Sequence, residues 1–313
     1  MLPQQFDWLR LSDGTRLRSA CWTGHGTIRG TVLLATGRAE FIEKYAETAS
    51  ALVERGFQVV AFDWRNQGLS DRPLANPQIH HLNDFSTLAD DLDQVHAQAV
   101  VPRAGDRPVL LMAHSMGGMA ATLLLARRPD RYAAAVLSAP MYDIATAPLP
   151  RSAVRVLARL FCRMGRGERY AFGQHDYDPA EGEFRPDNSI TSDPGRYAAF
   201  HTPFRERPEL RVGGVSFGWV RAALRASDLV QNTLPLAQVK TPVLLLSAPG
   251  DRVVKAAAHW AVARRMPAMT VLDYPDAKHE LLMERDAIRD RVWADIDAFL
   301  ARTVPAPVPA AAR

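Results

Sequence analysis

Cysteine is nearly missing from this 313-residue chain: Cys21 and Cys162 are the only two. Two isolated thiols make no disulfide framework and no Cys-x-x-Cys metal site, and they suit a reducing compartment. No run approaches the ~18 uninterrupted apolar residues of a membrane-spanning helix. The first residues, Met1-Leu-Pro-Gln-Gln-Phe-Asp-Trp8, lack the basic and apolar regions of a secretory signal. These absences give an expectation of a cytoplasmic protein whose membrane contact, if any, is peripheral, at the inner face. Strong charge of one sign is also lacking. A net charge of +4, with no basic tail and no RNA-binding signature, gives no case for nucleic acid. There is no internal repeat. What remains is 47% hydrophobic and 23% charged, enough for a large core.

Polarity alternates in Phe6–Leu11 and Thr15–Trp22 around Asp13-Gly14, which predicts an N-terminal hairpin. Buried strands follow at Thr31–Thr36, Phe57–Phe62, Val109–Ala113, Ala133–Ser138, Pro242–Ser247 and Thr270–Asp273. Helical patterns lie between them at Tyr45–Arg55, Asp84–Ala99, Lys255–Arg265 and Asp286–Leu300. Strands alternating with helices imply an α/β fold, a mostly parallel sheet covered on both faces. The rhythm breaks over residues 141–235, which hold helix-like patches and no convincing strand. The expectation is one core, residues 1–140 and 236–302, with 141–235 inserted as a helical cap. The Pro/Ala-rich tail, residues 303–313, is expected to be disordered.

The most informative stretch is Pro108-Val-Leu-Leu-Met-Ala-His-Ser-Met-Gly-Gly118. An apolar strand feeds a tight turn, and the turn feeds a helix of small residues. Ser115 is thereby held at a sharp corner with its hydroxyl exposed, and the Met116 N–H is aimed at whatever that hydroxyl attacks. The corner resembles the nucleophile elbow of α/β-hydrolases, with Ala113 in place of the first glycine. An ordinary Gly-rich strand–helix turn is the plainer alternative.

A serine hydroxyl needs a histidine to take its proton, and the histidine needs a carboxylate to fix its tautomer. In this fold the chain order is Ser, acid, His. Asp251 is the first acid past the strand ending at Ser247, and Pro249-Gly250 makes the turn that would expose it; an N-cap for the following helix is the alternative. His279 follows the next strand, with a solvated loop histidine as the alternative. His259 competes but falls within a helical pattern. For a second oxyanion donor the candidate is the Arg38 N–H, in the loop after the Thr31–Thr36 strand, where Gly37 permits a sharp turn.

At this point the resemblance becomes specific. Phe62-Asp-Trp-Arg-Asn-Gln-Gly-Leu-Ser-Asp71 resembles the Asp-x-Arg-Gly-x-Gly-x-Ser stretch of monoglyceride lipases and bacterial lysophospholipases, with Asn66 replacing the first glycine. Gly37-Arg-Ala-Glu-Phe-Ile-Glu-Lys-Tyr45 resembles their Gly-x-x-Glu-…-Tyr loop, with Thr36 where they usually have His. Lys278-His-Glu-Leu-Leu-Met-Glu284 matches too, and Pro208–Val220 resembles the cap of the bacterial lysophospholipase branch. The likeness spans about residues 6–300. It implies Ser115, Asp251 and His279 as the triad and Arg38 and Met116 as oxyanion donors.

Within 141–235 the clearest element is Pro150–Gly167. At ~100° per residue, Arg151, Arg155, Arg159, Arg163 and Arg166 fall within roughly a 120° arc. Val154, Val156, Leu157, Leu160, Phe161 and Met164 take the opposite side. Residues 151–170 hold six arginines and one glutamate, a net +5. Such a helix could lie on an anionic membrane, or present a solvated Arg face while its apolar side packs inward. His175, Asp176, Asp178, Glu181 and Glu183 fit no Ca²⁺ or Zn²⁺ ligand spacing and read as a solvated loop. Gly37, Leu157, Phe161 and Trp219 are candidate substrate contacts, with packing the alternative for Phe217 and Trp219.

Together these features predict a serine hydrolase that cleaves carboxylic esters of single-chain lipids, lysophospholipids or monoacylglycerols, with no cofactor and no metal. Three alternatives stay open: a generic short-chain esterase, a peptidase of the proline-iminopeptidase kind, and a binding protein on a hydrolase fold.

Overall fold

The sheet is dictated by five short apolar runs, each too long for a turn and each buried along its whole length or nearly so. In the computed structural model, which describes residues 3–146 and 148–304, they form β3 (Gly30–Ala35), β4 (Phe57–Phe62), β5 (Val109–His114), β6 (Ala134–Ser138) and β7 (Val243–Ser247). The N-terminal hairpin supplies β1 (Gln5–Arg10) and β2 (Arg16–Trp22), and β8 (Met269–Asp273) closes the other edge. The order is β1-β2-β4-β3-β5-β6-β7-β8. β1 and β2 are antiparallel to their neighbours; every pairing from β4 to β8 is parallel. Edge strand β8 is only half-buried, as its single neighbour requires.

Helices cover both faces because strands buried on two sides need two cores. One face carries α1 (Ala46–Glu54) and α9 (Asp286–Thr303), which seal the cluster built on Trp22, Phe57 and Tyr274. The other carries α2 (Ser86–Val95), α4 (Met116–Arg127) and α8 (Ala257–Ala263). α2 runs on through one π-turn into α3 (Val101–Ala104). Between β6 and β7 come α5 (Arg151–Arg163), α6 (Pro194–Glu206) and α7 (Phe217–Asn232), with isolated bridges and no strand among the described residues. α7 differs from a simple lid: its Trp219, Ala223 and Val230 belong to the main core. The last helix reaches Thr303, so the tail expected from 303 starts within it; residues 305–313 lie outside the described residues.

The strand order fixes where a site can form. From β3 the chain departs to β4 on one side, and from β5 it departs to β6 on the other, although β3 and β5 are direct neighbours. That divergence opens a crevice beyond their carboxyl ends. Ala35 pairs with Ala113, so the loops starting at Thr36 and Ser115 leave the sheet side by side.

Besides His279, five histidines are buried: His80, His96, His114, His201 and His259. Burial pulls His96, His114, His201 and His259 down to about 4 and holds His80 well below the ordinary imidazole value. The unfolded chain therefore binds more protons than the folded one below pH 6.5. Their contribution is fully present above that pH and is lost as pH falls toward 4, by up to about 1.4 kcal/mol per pH unit for each group. Urea midpoints should drop from pH 7.5 to pH 5, and His96→Gln should flatten the slope by about one proton. A midpoint unchanged over that range would contradict this assignment.

Candidate active site

Ser115 directly follows β5, at the N-cap of α4, with φ +49° and ψ −114°, a conformation that costs a non-glycine residue about 1–3 kcal/mol. Backbone bonds hold the corner. The Ser115 N–H donates to the Ser138 carbonyl (3.0 Å), and its own carbonyl accepts from Met141 (2.9 Å) and Met119 (3.2 Å). Gly117 is required by space, since a Cβ there would lie 2.5 Å from the Thr36 carbonyl oxygen and 2.6 Å from that of Ala35. The start of α4 thus presses on the end of β3. Ala113 tolerates its methyl because it points into core, within a strand paired with Ala35 and Leu137.

Three residues from separate loops converge on this corner. His279 Nε2 lies 2.9 Å from Ser115 Oγ, and His279 Nδ1 lies 2.6 Å from Asp251 Oδ2. The histidine is 3% exposed, so it is no solvated loop residue. Asp251 does not cap the following helix, whose N-cap position is Ala256 with no side-chain bond; it shapes the turn it begins and meets the imidazole. Its Oδ1 accepts from the N–H groups of Val253 (2.7 Å) and Val254 (3.0 Å), which orients Oδ2 toward the imidazole. Burial pushes this carboxyl up, but the bond to His279 and those N–H groups hold it below the usual carboxylate range. His259 is a core residue: its nitrogens meet Ser247 Oγ (3.0 Å) and the Pro140 carbonyl (2.9 Å).

The Met116 N–H opens α4 and so has no helical carbonyl a turn below it. The Arg38 N–H takes no acceptor among the described residues. Its loop is shaped by groups that spacing did not single out. Glu40 Oε2 accepts from the Gly37 N–H and from Tyr45 Oη (2.6 Å). The Gln67 amide donates to the Gly37 (2.8 Å) and Glu40 (2.9 Å) carbonyls and accepts from the Ala39 N–H (3.1 Å). Lys44 Nζ lies 2.6 Å from Glu40 Oε1 and 2.6 Å from Glu280 Oε1. Glu40, His114 and Glu280 bring potential ligand atoms within 4.8 Å of one another, as a metal site would. The Lys44 ammonium already supplies the positive charge there. Burial pushes Glu40 up, but Lys44 and its other donors hold it at about 2.

The Asp63–Ser70 stretch is structural. Asp63 accepts from Arg18 Nε (2.7 Å), the Ile42 N–H (2.9 Å) and the Leu69 N–H (2.9 Å). A Cβ on Gly68 would sit 2.0 Å from the Asp63 carboxyl carbon. Asn66 adopts φ +68°, a region that asparagine enters more easily than most residues.

Two cavities meet at Ser115 and Arg38. One, about 440 Å³, is walled by apolar side chains including Met141, Leu157, Phe217, Trp219 and Val254. The other, about 570 Å³, is walled by Asp178, Glu181, Glu183, Tyr177 and His201 together with His279. Leu157 and Trp219 thus stand on a cavity wall. Phe161 and Gly37 do not: Phe161 stacks behind Phe217 at 4.2 Å, and Gly37 uses its peptide groups on Glu40 and Gln67. The helix α5 also corrects its expected faces. Arg151 and Arg155 are not free in solvent but bond Asp228 of α7 (3.1 and 2.8 Å). Val154, Leu157 and Ala158 face the apolar cavity, whereas Val156, Leu160 and Met164 are 62%, 48% and 52% exposed.

Comparison with known proteins points to a family. Residues 26–286 match the family described as serine aminopeptidase, S33. The chain is 31% identical over 275 residues to the probable lysophospholipase L2 of Haemophilus influenzae, covering 87% of this chain and 84% of that one. It is 33% identical over 276 residues to lysophospholipase L2 of Escherichia coli, covering 86% and 79%. A solved monoglyceride lipase from Saccharomyces cerevisiae superimposes with a TM-score of 0.73 at 18% identity, covering 97% and 96%. The fold, the corner at Ser115 and these likenesses lead to one statement: this chain is an α/β-hydrolase enzyme belonging to the serine aminopeptidase S33 family of hydrolases.

Proposed function

We propose that the enzyme cleaves the ester of single-chain lipids, lysophospholipids in the first place, through an acyl-serine intermediate. The observation that carries this reading is the hydrogen-bonded line Asp251–His279–Ser115 at the junction of an apolar and a polar cavity. An acyl chain fits the first cavity, and a polar head fits the second. Ser115 Oγ attacks the ester carbonyl while His279 Nε2 takes its proton. The N–H groups of Met116 and Arg38 stabilise the tetrahedral oxyanion, and Asp251 stabilises the imidazolium. His279 then gives the proton to the leaving alcohol. Water attacks the acyl-serine with His279 as base, which frees the fatty acid and Ser115. Residues 141–235 act here as a cap, because they wall both cavities and tie to the core through Arg38 Nη1 on the Gly213 carbonyl (2.8 Å). The carboxylates of the polar cavity support one alternative, a peptidase that anchors a free amine.

The exposed stripe Val156-Leu160-Met164, flanked by exposed Arg159, Arg163 and Arg166, supports peripheral docking on an anionic membrane. No described helix is long and apolar enough to cross one. This arrangement sets the apolar cavity beside the lipid surface.

Activity profiling should settle the chemistry. Ser115→Ala should lower kcat by about 10⁴-fold or more and abolish labelling by a fluorophosphonate probe. Wild type should prefer lysophospholipids to short esters, and aminoacyl amides should be inert; cleavage of amides in preference to esters would establish the peptidase instead. For docking, replacing Arg159, Arg163 and Arg166 by Gln should weaken binding to phosphatidylglycerol vesicles about 100-fold at low salt, at about 1 kcal/mol per charge. Turnover of a short soluble ester should stay within about twofold. Equal losses in both assays would remove the membrane role.

A further inference from the structure

We infer that Lys44 is a positioning residue that ties the oxyanion loop to the histidine loop, by cross-linking Glu40 and Glu280. The inference rests on the serine mechanism proposed above. Glu40 fixes the peptide before the Arg38 N–H by accepting from the Gly37 N–H, and Tyr45 Oη and Lys44 Nζ complete its shell. Glu280 is the covalent neighbour of His279. Its N–H donates to the Ile190 carbonyl (3.0 Å), and its side chain meets Lys44 Nζ at 2.6 Å. One ammonium therefore spans two loops distant in sequence, Lys44 and Glu280 being 236 residues apart. Phe200 of α6 closes the third side, with its ring centroid 4.4 Å from Nζ. Glu40, Lys44 and Glu280 are all buried, so water screens these charges little.

The groups around Nζ explain why a cation is needed. Glu40 and Glu280 approach from two sides, with Tyr45 and the neutral His114 and His201 nearby. The His114 ring lies 4.8 Å from that of His279. Without the ammonium, two carboxylates face each other in a largely buried site. They must separate or share a proton. Separation would move the Gly37–Arg38 peptide away from the oxyanion and Glu280 away from its place beside His279. A neutral partner at 280 would remove the repulsion and let an amide donate to Glu40.

This predicts an effect on the transition state with little effect on binding. On a short soluble ester, Lys44→Met should lower kcat about 10²-fold with KM within about threefold, the scale of losing one oxyanion donor. Affinity for a trifluoromethyl ketone, whose adduct with Ser115 carries the oxyanion, should fall in parallel. Lys44→Met/Glu280→Gln should recover at least about tenfold of the lost kcat, which refilling of a structural void would not do. If Lys44→Met does not fold, Lys44→Gln and Lys44→Gln/Glu280→Gln give the same comparison. A single variant with kcat within threefold of wild type, or a double variant no better than the single one, would overturn the inference. A wild type whose Ser115 resists the fluorophosphonate probe would overturn the serine mechanism instead.

Discussion

The pairing of Ala35 with Ala113 is the contact on which the site depends. It makes β3 and β5 neighbours at the point where their connections diverge, so two loops emerge together beyond the sheet. One presents the Arg38 N–H and the other presents Ser115. Their spacing is enforced by the absence of a side chain at Gly117, where the first turn of α4 touches the last peptides of β3. A larger residue would push the serine away from the loop that faces it. The strain at Ser115 persists because the bonds to Ser138, Met141 and Met119 over-determine that corner.

Around this contact the structure is stiffened by buried carboxylates, each used several times over. Asp63 joins β2, β4 and the short helix Ile42–Tyr45. Glu40 organises the Gly37–Ala39 loop, and Asp251 shapes its own turn while holding the imidazole. In each case backbone N–H groups and at least one side-chain donor share the two oxygens. A carboxylate satisfied in this way loses its freedom to rotate, which explains how groups on flexible connections reach distances of 2.6–2.9 Å.

Much of this was legible in the sequence because it rests on local rules. Five runs of buried apolar residues gave the strands, and the strand–turn–helix pattern gave Ser115. Chain order and position after a strand gave Asp251 and His279, which the structure brings into line with it. Glu40, Lys44, Gln67 and Glu280 were harder to read. Glu40, Lys44 and Glu280 lie within quoted motifs, yet nothing in their spacing says that residues 40 and 280 share one ammonium. Such a bridge exists only after the sheet orders the loops, and a lysine in a sequence looks like solvated charge until its partners are known.

Helix α5 shows the same limit from another side. Period 3.6 separates arginines from apolar residues correctly but cannot divide the apolar arc into two. Val154, Leu157 and Ala158 turn to the cavity; Val156, Leu160 and Met164 turn to solvent, next to Arg159 and Arg163. The division is decided by where Asp228 of α7 seizes Arg151 and Arg155, a contact 73 residues or more away. That ion pair rolls the helix so that one apolar strip walls the apolar cavity and the other is left outside. An exposed strip has a cost in water that a membrane surface would remove. The same pair therefore links the shape of the apolar cavity to the exposed face of α5, and a change in either must pass through the contact between α5 and α7.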